Sequence, residues 1–123
     1  MSGKRVLVVD DSALVRRIAR RMLEELGFTV AESVDGAAAL KACAEGMPDC
    51  VLLDWNMPEM NGIEFLRKLR QDPAGAAPIV IFCTSEDSFD NITEALEAGA
   101  NEYIIKPFDA PLLESKLVQA GVL

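Results

Sequence analysis

The chain has 123 residues, of which half are hydrophobic and 26% are charged, with a formal net charge of −8 and a pI near 4.5. This composition is typical of a single globular domain, which we expect to span residues 1–123, and it excludes a largely disordered chain. Because an acidic chain is repelled by phosphate backbones and anionic lipids, nucleic acids and membrane surfaces are poor candidate partners.

Cysteine and histidine usage narrows the chemistry further. Cys43, Cys50 and Cys83 lie in apolar segments at no metal-binding spacing, which predicts reduced, buried thiols in a cytoplasmic protein. The N-terminus does not resemble a signal peptide, and no apolar run approaches membrane-spanning length. The absence of histidine excludes Ser/His catalysis and His-ligated metals, so any phosphohistidine must come from a partner.

The first half of the chain alternates short apolar runs with longer amphipathic segments. Runs rich in Val, Ile and Leu predict strands buried on both faces, and apolar positions at helical spacing predict helices. The predicted elements, in chain order, are a strand at Val6–Val9, a helix with apolar spacing at Leu14, Ile18, Met22 and Leu26, a weaker strand at Phe28–Ala31, and a helix over Ala38–Ala44 that is opened by Asp35 and stopped by Gly46.

The second half continues the same alternation. It predicts a strand at Val51–Leu53, a helix marked by Ile63, Leu66 and Leu69, a strand at Ile79–Phe82, a helix marked by Ile92 and Leu96 that stops at Gly99, a strand at Tyr103–Ile105, and a helix capped by Asp109 with Pro111 in its first turn. Five successive β-α units predict a doubly wound α/β fold, with helices on both faces of a parallel sheet. Such sheets bind ligands beyond the carboxyl ends of their strands.

Charged and hydroxyl side chains follow four of these strands. Asp10 and Asp11 follow the first strand, Asp54 the third, Thr84 the fourth and Lys106 the fifth. Two carboxylates about 4 Å apart repel by roughly 4 kcal/mol at an effective dielectric near 20, so we expect a hard divalent cation, best Mg²⁺, among them. Together with an ammonium and a hydroxyl for an anion, the set predicts phosphoryl transfer to a carboxylate nucleophile.

Each of these residues also has an ordinary structural explanation. An Asp at a strand end is most often a turn or helix-cap residue, a Lys before Pro is most often solvated, and Thr84 could cap the fourth helix. It is the joint occurrence of Asp-Asp, Asp, Thr and Lys-Pro at four strand ends that favours a functional site.

Five motifs resemble those of the response-regulator receiver family, over Lys4 to about Ala120. They are Val9–Ser12, Leu53–Gly62, Thr84–Glu86, Gly99–Ala100 and Tyr103–Phe108. The resemblance implies a flavodoxin-like strand order of 2-1-3-4-5 with five helices. It also implies a two-component function, in which a histidine kinase or phosphotransfer protein donates a phosphoryl group.

The resemblance implies a role for each residue of the acidic site. Asp54 would be the phosphoacceptor. Mg²⁺ would be held by the side chains of Asp11 and Asp54, by the backbone carbonyl of Asn56, and by Asp10 through a metal-bound water. Lys106 would pair with the phosphoryl oxygens, and its peptide bond to the following proline is usually cis in the family.

The resemblance also implies how the signal is read and how long it lasts. Thr84 would move inward to hydrogen-bond the phosphoryl group, and Tyr103 would turn inward with it. Asn56 and Glu86 would flank the water that hydrolyses the acyl phosphate. Ser85 departs from the family pattern, in which Ala is commoner.

Within the family, the chain is most similar to CheY-like, single-domain regulators of the chemotaxis type. This similarity implies a monomer that has no output domain, that catalyses only its own phosphorylation and dephosphorylation, and that binds a protein target such as a flagellar motor switch protein. The alternative is a non-motor role as phosphate sink, phosphorelay shuttle or kinase regulator, because the acidic and aromatic segment Asp87–Asp90 departs from the motor-binding pattern. The first helix, with Arg16 and Arg20, is either a docking surface for the phosphodonor or a solvated helix surface.

Three other classes of function are weaker. A phosphatase of the haloacid dehalogenase type needs two Asp at Asp-x-Asp spacing, whereas Asp10 and Asp11 are adjacent. A phosphate-independent binding module has no need of the complete set of acids, Thr84 and Lys106. Nucleotide binding is disfavoured because no Gly-rich loop follows the first strand.

Overall fold

Five parallel strands form one sheet in the order β2-β1-β3-β4-β5, as the resemblance implied. The computed structural model describes residues 4–85 and 89–123, without the side chains of residues 89 and 90. The strands are β1 (Arg5–Val9), β2 (Thr29–Ser33), β3 (Cys50–Asp54), β4 (Ile79–Thr84) and β5 (Glu102–Ile105). The helices are α1 (Ala13–Glu25), α2 (Gly36–Glu45), α3 (Gly62–Gln71), α4 (Phe89–Glu97) and α5 (Ala110–Gln119), with a short 3-10 helix at Pro73–Ala76 that the sequence pattern did not predict.

Alternate residues along the strands bury two separate core layers. On one face, Leu7, Val51 and Phe82 pack with residues of α2, α3 and α4, including Phe65. On the other face, residues such as Ile81 pack with α1 and α5. Both faces are therefore covered by helices, and the predicted doubly wound fold is confirmed.

Burial follows the position of each strand in the sheet. All five residues of β3 are buried, because this strand lies in the middle of the sheet. At the edge, only Ile104 of β5 is buried, and Tyr103 and Ile105 are half-buried. The prediction that this run is buried on both faces was therefore wrong, since an edge strand has one neighbour instead of two.

The apolar spacing of α1 also misidentified its buried face. Leu14 is 64% exposed and Ile18 is 47% exposed, whereas Ala19 and Leu23 are the buried residues. Ala19 and Leu23 belong to the core cluster, and Met22 and Leu26 pack against its margin. An apolar surface is thus left on α1.

Several local predictions are confirmed. Asp35 and Asp109 cap α2 and α5 by accepting hydrogen bonds from the backbone N–H groups of Ala38 and Leu112. The three cysteines are free and buried, and burial raises the pKa of the Cys50 thiol to about 12. Within residues 4–85 and 89–123, no helix combines the length and the apolar character needed to cross a membrane.

Candidate functional site

Three carboxylates meet at the carboxyl edge of the sheet. Asp54 is the last residue of β3, and Asp10 and Asp11 follow β1 directly. One carboxylate oxygen from each of the three lies within 4.8 Å of the other two. Asp10 and Asp54 are buried, whereas Asp11 is exposed. The cluster is therefore closed on the protein side and open to solvent through Asp11.

Lys106 joins this cluster from the end of β5. Its ammonium donates to Oδ2 of Asp10 at 2.8 Å and to Oδ1 of Asp54 at 2.9 Å. The peptide bond between Lys106 and Pro107 is cis, as the resemblance implied. The structure thus brings together four of the predicted residues, with three carboxylates facing a single ammonium.

Burial and charge act in opposite directions on these groups. Burial raises the pKa of Asp54 above its ordinary value, and the hydrogen bond from Lys106 only partly offsets this effect. Burial would lower the pKa of Lys106, but the hydrogen bonds to Asp10 and Asp54 and the attraction of their charges together outweigh burial and raise it. Lys106 is therefore a permanent cation at neutral pH, and the ionised form of Asp54 is held at a cost.

The backbone after Asp54 turns sharply into α3. The N–H of Trp55 donates to the carbonyl of Cys83 at 3.1 Å, and the N–H of Gly62 donates to the carbonyl of Trp55 at 2.9 Å. A Cβ at Gly62 would collide with the carbonyl of Asp54 and the ring of Phe82, so only glycine allows α3 to begin this close to the site. Gly62 was part of a quoted motif, but its contact with Asp54 required the folded chain.

The turn after β1 is held by four contacts to Asp10. Its N–H donates to the carbonyl of Ser33, and its carboxylate accepts the N–H of Ser12 as well as the ammonium of Lys106. Its own carbonyl accepts Nη1 of Arg16 at 2.7 Å. This last contact could not be predicted from the sequence, because nothing in an amphipathic helix marks one of its arginines as a donor to a backbone carbonyl.

Thr84 and Tyr103 lie on the adjoining strands. Thr84 is buried at the end of β4, and its carbonyl accepts the backbone N–H of Lys106 at 2.8 Å. Tyr103 lies opposite Phe82 in the sheet, and Phe82 is two positions before Thr84 on β4. Because side chains alternate along a strand, the side chains of Tyr103 and Thr84 point to the same face of the sheet. The ammonium of Lys116 on α5 lies 4.4 Å from the centre of the half-buried Tyr103 ring.

Asn56 and Glu86, the residues predicted to tune the lifetime of the acyl phosphate, are not placed in the cluster by the described contacts of the chain. Asn56 is exposed, two residues beyond β3. Glu86 lies outside the described residues, as do residues 87 and 88 of the departing segment and the side chains of residues 89 and 90.

The arginines of α1 divide into two pairs. Arg16 and Arg20 form ion pairs with Glu32 of β2, at 3.0 and 2.8 Å, and are therefore occupied within the chain. Arg17 and Arg21 are exposed, and neither forms an ion pair with another described residue. The docking role of Arg16 and Arg20 stays a prediction, and Arg17 and Arg21 are the arginines of α1 that form no ion pair within the described residues.

The acidic cluster fits a hard divalent cation. Its donors are carboxylate oxygens, and one ion could reach an oxygen from each of the three carboxylates. The single ammonium leaves most of the carboxylate charge uncompensated, which a divalent cation would offset. Oxygen donors with room for water on the exposed side match Mg²⁺ better than a thiolate or imidazole metal.

The chain is similar to known proteins over nearly its whole length. Residues 6–118 match the model of the response regulator receiver domain. The chain is 43% identical over 114 residues to the chemotaxis protein CheY of Pseudomonas aeruginosa, covering 92% of each protein. It is 42% identical over 114 residues to CheY-3 of Vibrio cholerae, covering 92% of this chain and 88% of that protein. The structure matches that of Vibrio cholerae chemotaxis protein CheY4 with a TM-score of 0.91 at 30% identity, covering 96% of this chain and 98% of the other.

Proposed function

The chain belongs to the response regulator receiver family and is CheY-like, and from that premise we propose that it is a signalling switch phosphorylated on Asp54. The observation that carries the proposal is the pair of ion pairs from Lys106 to Asp10 and Asp54, beside the exposed carboxylate of Asp11. This arrangement supplies a nucleophile, a cation for the incoming phosphoryl oxygens, and an open acidic edge for a metal ion.

Mg²⁺ is the proposed cofactor, held by Asp10, Asp11, Asp54 and the backbone carbonyl of Asn56. When bound, it would neutralise the charge of the transferring phosphoryl group. The protein groups do the positioning. Lys106 holds Oδ1 of Asp54, and no hydrogen bond to Oδ2 is found among the described residues, which leaves that oxygen available for attack or for the metal.

The proposed reaction is a displacement at phosphorus. Oδ2 of Asp54 forms the new O–P bond as the N–P bond of a partner's phosphohistidine breaks, and the leaving imidazole nitrogen keeps the electron pair and takes up a proton. With a small donor such as acetyl phosphate, the acetate oxygen is the leaving group instead. Water later hydrolyses the acyl phosphate, and Asn56 and Glu86 are proposed to set that rate. The chain thus acts on itself and not on a turned-over substrate.

The proposed signal passes from Thr84 to Tyr103. The phosphoryl group would draw the Thr84 hydroxyl inward, and the vacated space would let the Tyr103 ring follow it across the same sheet face. Such a device shifts a population between two states only if a partner prefers one of them. We expect Tyr103→Ala to be phosphorylated within twofold of the wild-type rate and to bind its target about tenfold more weakly. Equal target binding by the variant would argue against this route.

The proposed output is binding of a protein target, and control of chemotaxis is favoured because the relatives are chemotaxis proteins. A flagellar motor switch protein is the first target to test. A phosphate sink, phosphorelay shuttle or kinase regulator is the alternative. The free, buried cysteines are consistent with the proposed cytoplasmic location. Fractionation of cells that produce the protein would check it.

The phosphodonor is proposed to dock on α1. An apolar groove of about 190 Å³ lies between α1 and the segment after β5, and its lining includes Val15, Ile18, Lys106, Pro107 and Phe108. Arg17 and Arg21 add exposed positive charge on α1. A histidine kinase or phosphotransfer domain with an apolar and acidic surface would fit beside the acceptor.

Charge reversal separates docking from chemistry. Arg17→Glu with Arg21→Glu should slow transfer from a phosphohistidine donor about tenfold and leave labelling by acetyl phosphate unchanged. Arg67→Glu on α3 is the matched control, because that arginine is also exposed. Unchanged transfer from phosphohistidine would mean that this face of α1 is only solvated.

The acceptor is tested by intact mass. The chain is incubated with acetyl phosphate and Mg²⁺, beside an EDTA sample, an Asp54→Asn variant and an Asp72→Asn control at an exposed position far from the cluster. One phosphoryl adduct is expected in the wild type and in Asp72→Asn, and none in EDTA or in Asp54→Asn. Labelling of Asp54→Asn at the wild-type level would overturn the proposal.

A further inference from the structure

Arg16 is an unusually well-fixed cation on the first helix. Only 13% of its side chain is exposed. Its Nε donates to Oε1 of Glu32 at 3.0 Å, while its Nη1 donates to the carbonyl oxygen of Asp10 at 2.7 Å. Because a guanidinium presents its donors in a rigid plane, fixing one donor on Glu32 also fixes where the others point. Glu32 therefore aims Arg16 at the backbone of Asp10.

The carbonyl that Arg16 holds belongs to the peptide between Asp10 and Asp11. The other three contacts of Asp10 go to its N–H and its two carboxylate oxygens. None of them restrains that peptide plane directly. Asp11 is exposed, and its carboxylate accepts no hydrogen bond from the described residues. The direction of the Asp11 side chain therefore depends on a peptide whose orientation Arg16 fixes.

We propose that Arg16 is a positioning residue for the acidic cluster, which orients the Asp10–Asp11 peptide so that the Asp11 carboxylate faces the cation site. The inference rests on the Mg²⁺-binding part of the proposed function. Arg16 touches no reacting atom, so its effect is on the affinity for the metal and not on the chemical step. Removing a partner that orients metal ligands commonly changes metal affinity by about 10- to 100-fold.

Arg20 provides a matched comparison on the same helix. It also pairs with Glu32, through Oε2 at 2.8 Å, and with Glu24 at 3.2 Å. Its side chain is 42% exposed, and it makes no hydrogen bond to Asp10. A general effect of positive charge near the acids would appear in both arginines. A positioning effect would appear in Arg16 alone.

The test is a Mg²⁺ titration of the full chain that is monitored by two-dimensional ¹H–¹⁵N NMR. The same spectra show whether each variant is folded. Arg16→Met keeps the apolar stem and should raise the Kd for Mg²⁺ about tenfold. Arg20→Met should stay within twofold of the wild type. Arg16→Lys should recover part of the affinity, because its ammonium can reach the same carbonyl. At saturating Mg²⁺, labelling of Arg16→Met by acetyl phosphate should return to the wild-type rate.

The outcomes separate this inference from the function on which it rests. A wild type that binds no Mg²⁺ would overturn the proposed function, and the role of Arg16 with it. Normal binding by the wild type, with equal Kd values for Arg16→Met and Arg20→Met, would overturn only the role of Arg16. If Arg16→Met does not fold, Arg16→Gln replaces it, because the shorter amide side chain cannot reach the carbonyl of Asp10. A wild-type Kd in Arg16→Gln would then overturn the role of Arg16.

Discussion

The two ends of the same sheet hold their half-buried cations in opposite ways. At the carboxyl end, Lys106 faces Asp10 and Asp54, with Asp11 close by. At the amino end, Arg70 faces neutral oxygens that precede β4 and β5. One end has an excess of negative charge, and the other has a cation whose hydrogen bonds are accepted by neutral oxygens.

Arg70 works as a clamp at the amino end. Its guanidinium donates to the carbonyls of Gly75 and Pro78 at 2.8 Å, to that of Gly99 at 2.8 and 3.2 Å, and to Oδ1 of Asn101 at 3.0 Å. These contacts join the end of α3 to the 3-10 helix and to the starts of β4 and β5. Neutral oxygens accept the guanidinium's hydrogen bonds, and no carboxylate of the described residues pairs with it.

The two ends of the sheet contribute differently to the stability of the chain. Hydrogen bonds to neutral carbonyls at the amino end stabilise the chain without creating a binding site. Carboxylates gathered at the carboxyl end destabilise the chain until a cation arrives. The proposed metal and phosphoacceptor site thus coincides with the less stable end of the sheet.

Removal of the clamp should have the largest effect on stability. Arg70→Ala leaves several carbonyl oxygens without their donor, so we expect the free energy of unfolding to fall by about 3 kcal/mol in urea titrations. The labelling rate with acetyl phosphate should stay within twofold of the wild type. Arg67→Ala is the control, because its 3.6 Å ion pair with Glu94 is exposed and should be worth less than about 1 kcal/mol. A large loss of labelling in folded Arg70→Ala would mean that the two ends are not separate.

Removal of the other cation should act mainly on chemistry. Lys106→Met takes away the charge that meets the phosphoryl oxygens, so labelling should slow by about 100-fold, or roughly 2.7 kcal/mol. Because the carboxylates then lack their ammonium, the affinity for Mg²⁺ should rise. Lys116→Met is the matched control, since Lys116 pairs with Glu102 and contacts Tyr103 instead. Weaker Mg²⁺ binding in Lys106→Met would contradict this account of the charge balance.

Neutralising the acceptor should stabilise the chain. Because burial raises the pKa of Asp54 in the folded state, its ionisation costs stability, and that cost grows as pH rises through the folded pKa. Asp54→Asn should therefore raise the free energy of unfolding at pH 7.5 in EDTA by about 1 kcal/mol, and by less at pH 4. The exposed Asp11→Asn should give a smaller gain at pH 7.5. An Asp54→Asn variant less stable than the wild type at pH 7.5 would remove the contrast between the two ends.

Much of the fold could be predicted from the sequence because buried strands have a strong apolar signature. The runs at β1, β3 and β4 are nearly all buried, and the caps Asp35 and Asp109 are where the pattern placed them. The edge strands and the face of α1 were less predictable. Their burial depends on which neighbours cover them, and that is a property of the assembled sheet.

The acidic site was predictable for a related reason. Parallel strands end at one edge, so the identity of the residue after each strand was enough to predict that Asp10, Asp54 and Lys106 meet. The hydrogen bonds from Arg16 and Arg70 to backbone carbonyls could not be predicted. Every residue carries the same backbone carbonyl, so no sequence pattern marks which one accepts.

We propose that phosphoryl transfer ends on Asp54, and finding the position of the phosphoryl group in the chain is the decisive experiment. After labelling with acetyl phosphate and Mg²⁺, borohydride reduces an aspartyl phosphate to homoserine, which tandem mass spectrometry locates in the chain. Homoserine is expected at position 54 and at no other aspartate. Homoserine in place of Asp10 or Asp11, or a stable phosphoryl group on a hydroxyl side chain, would contradict it.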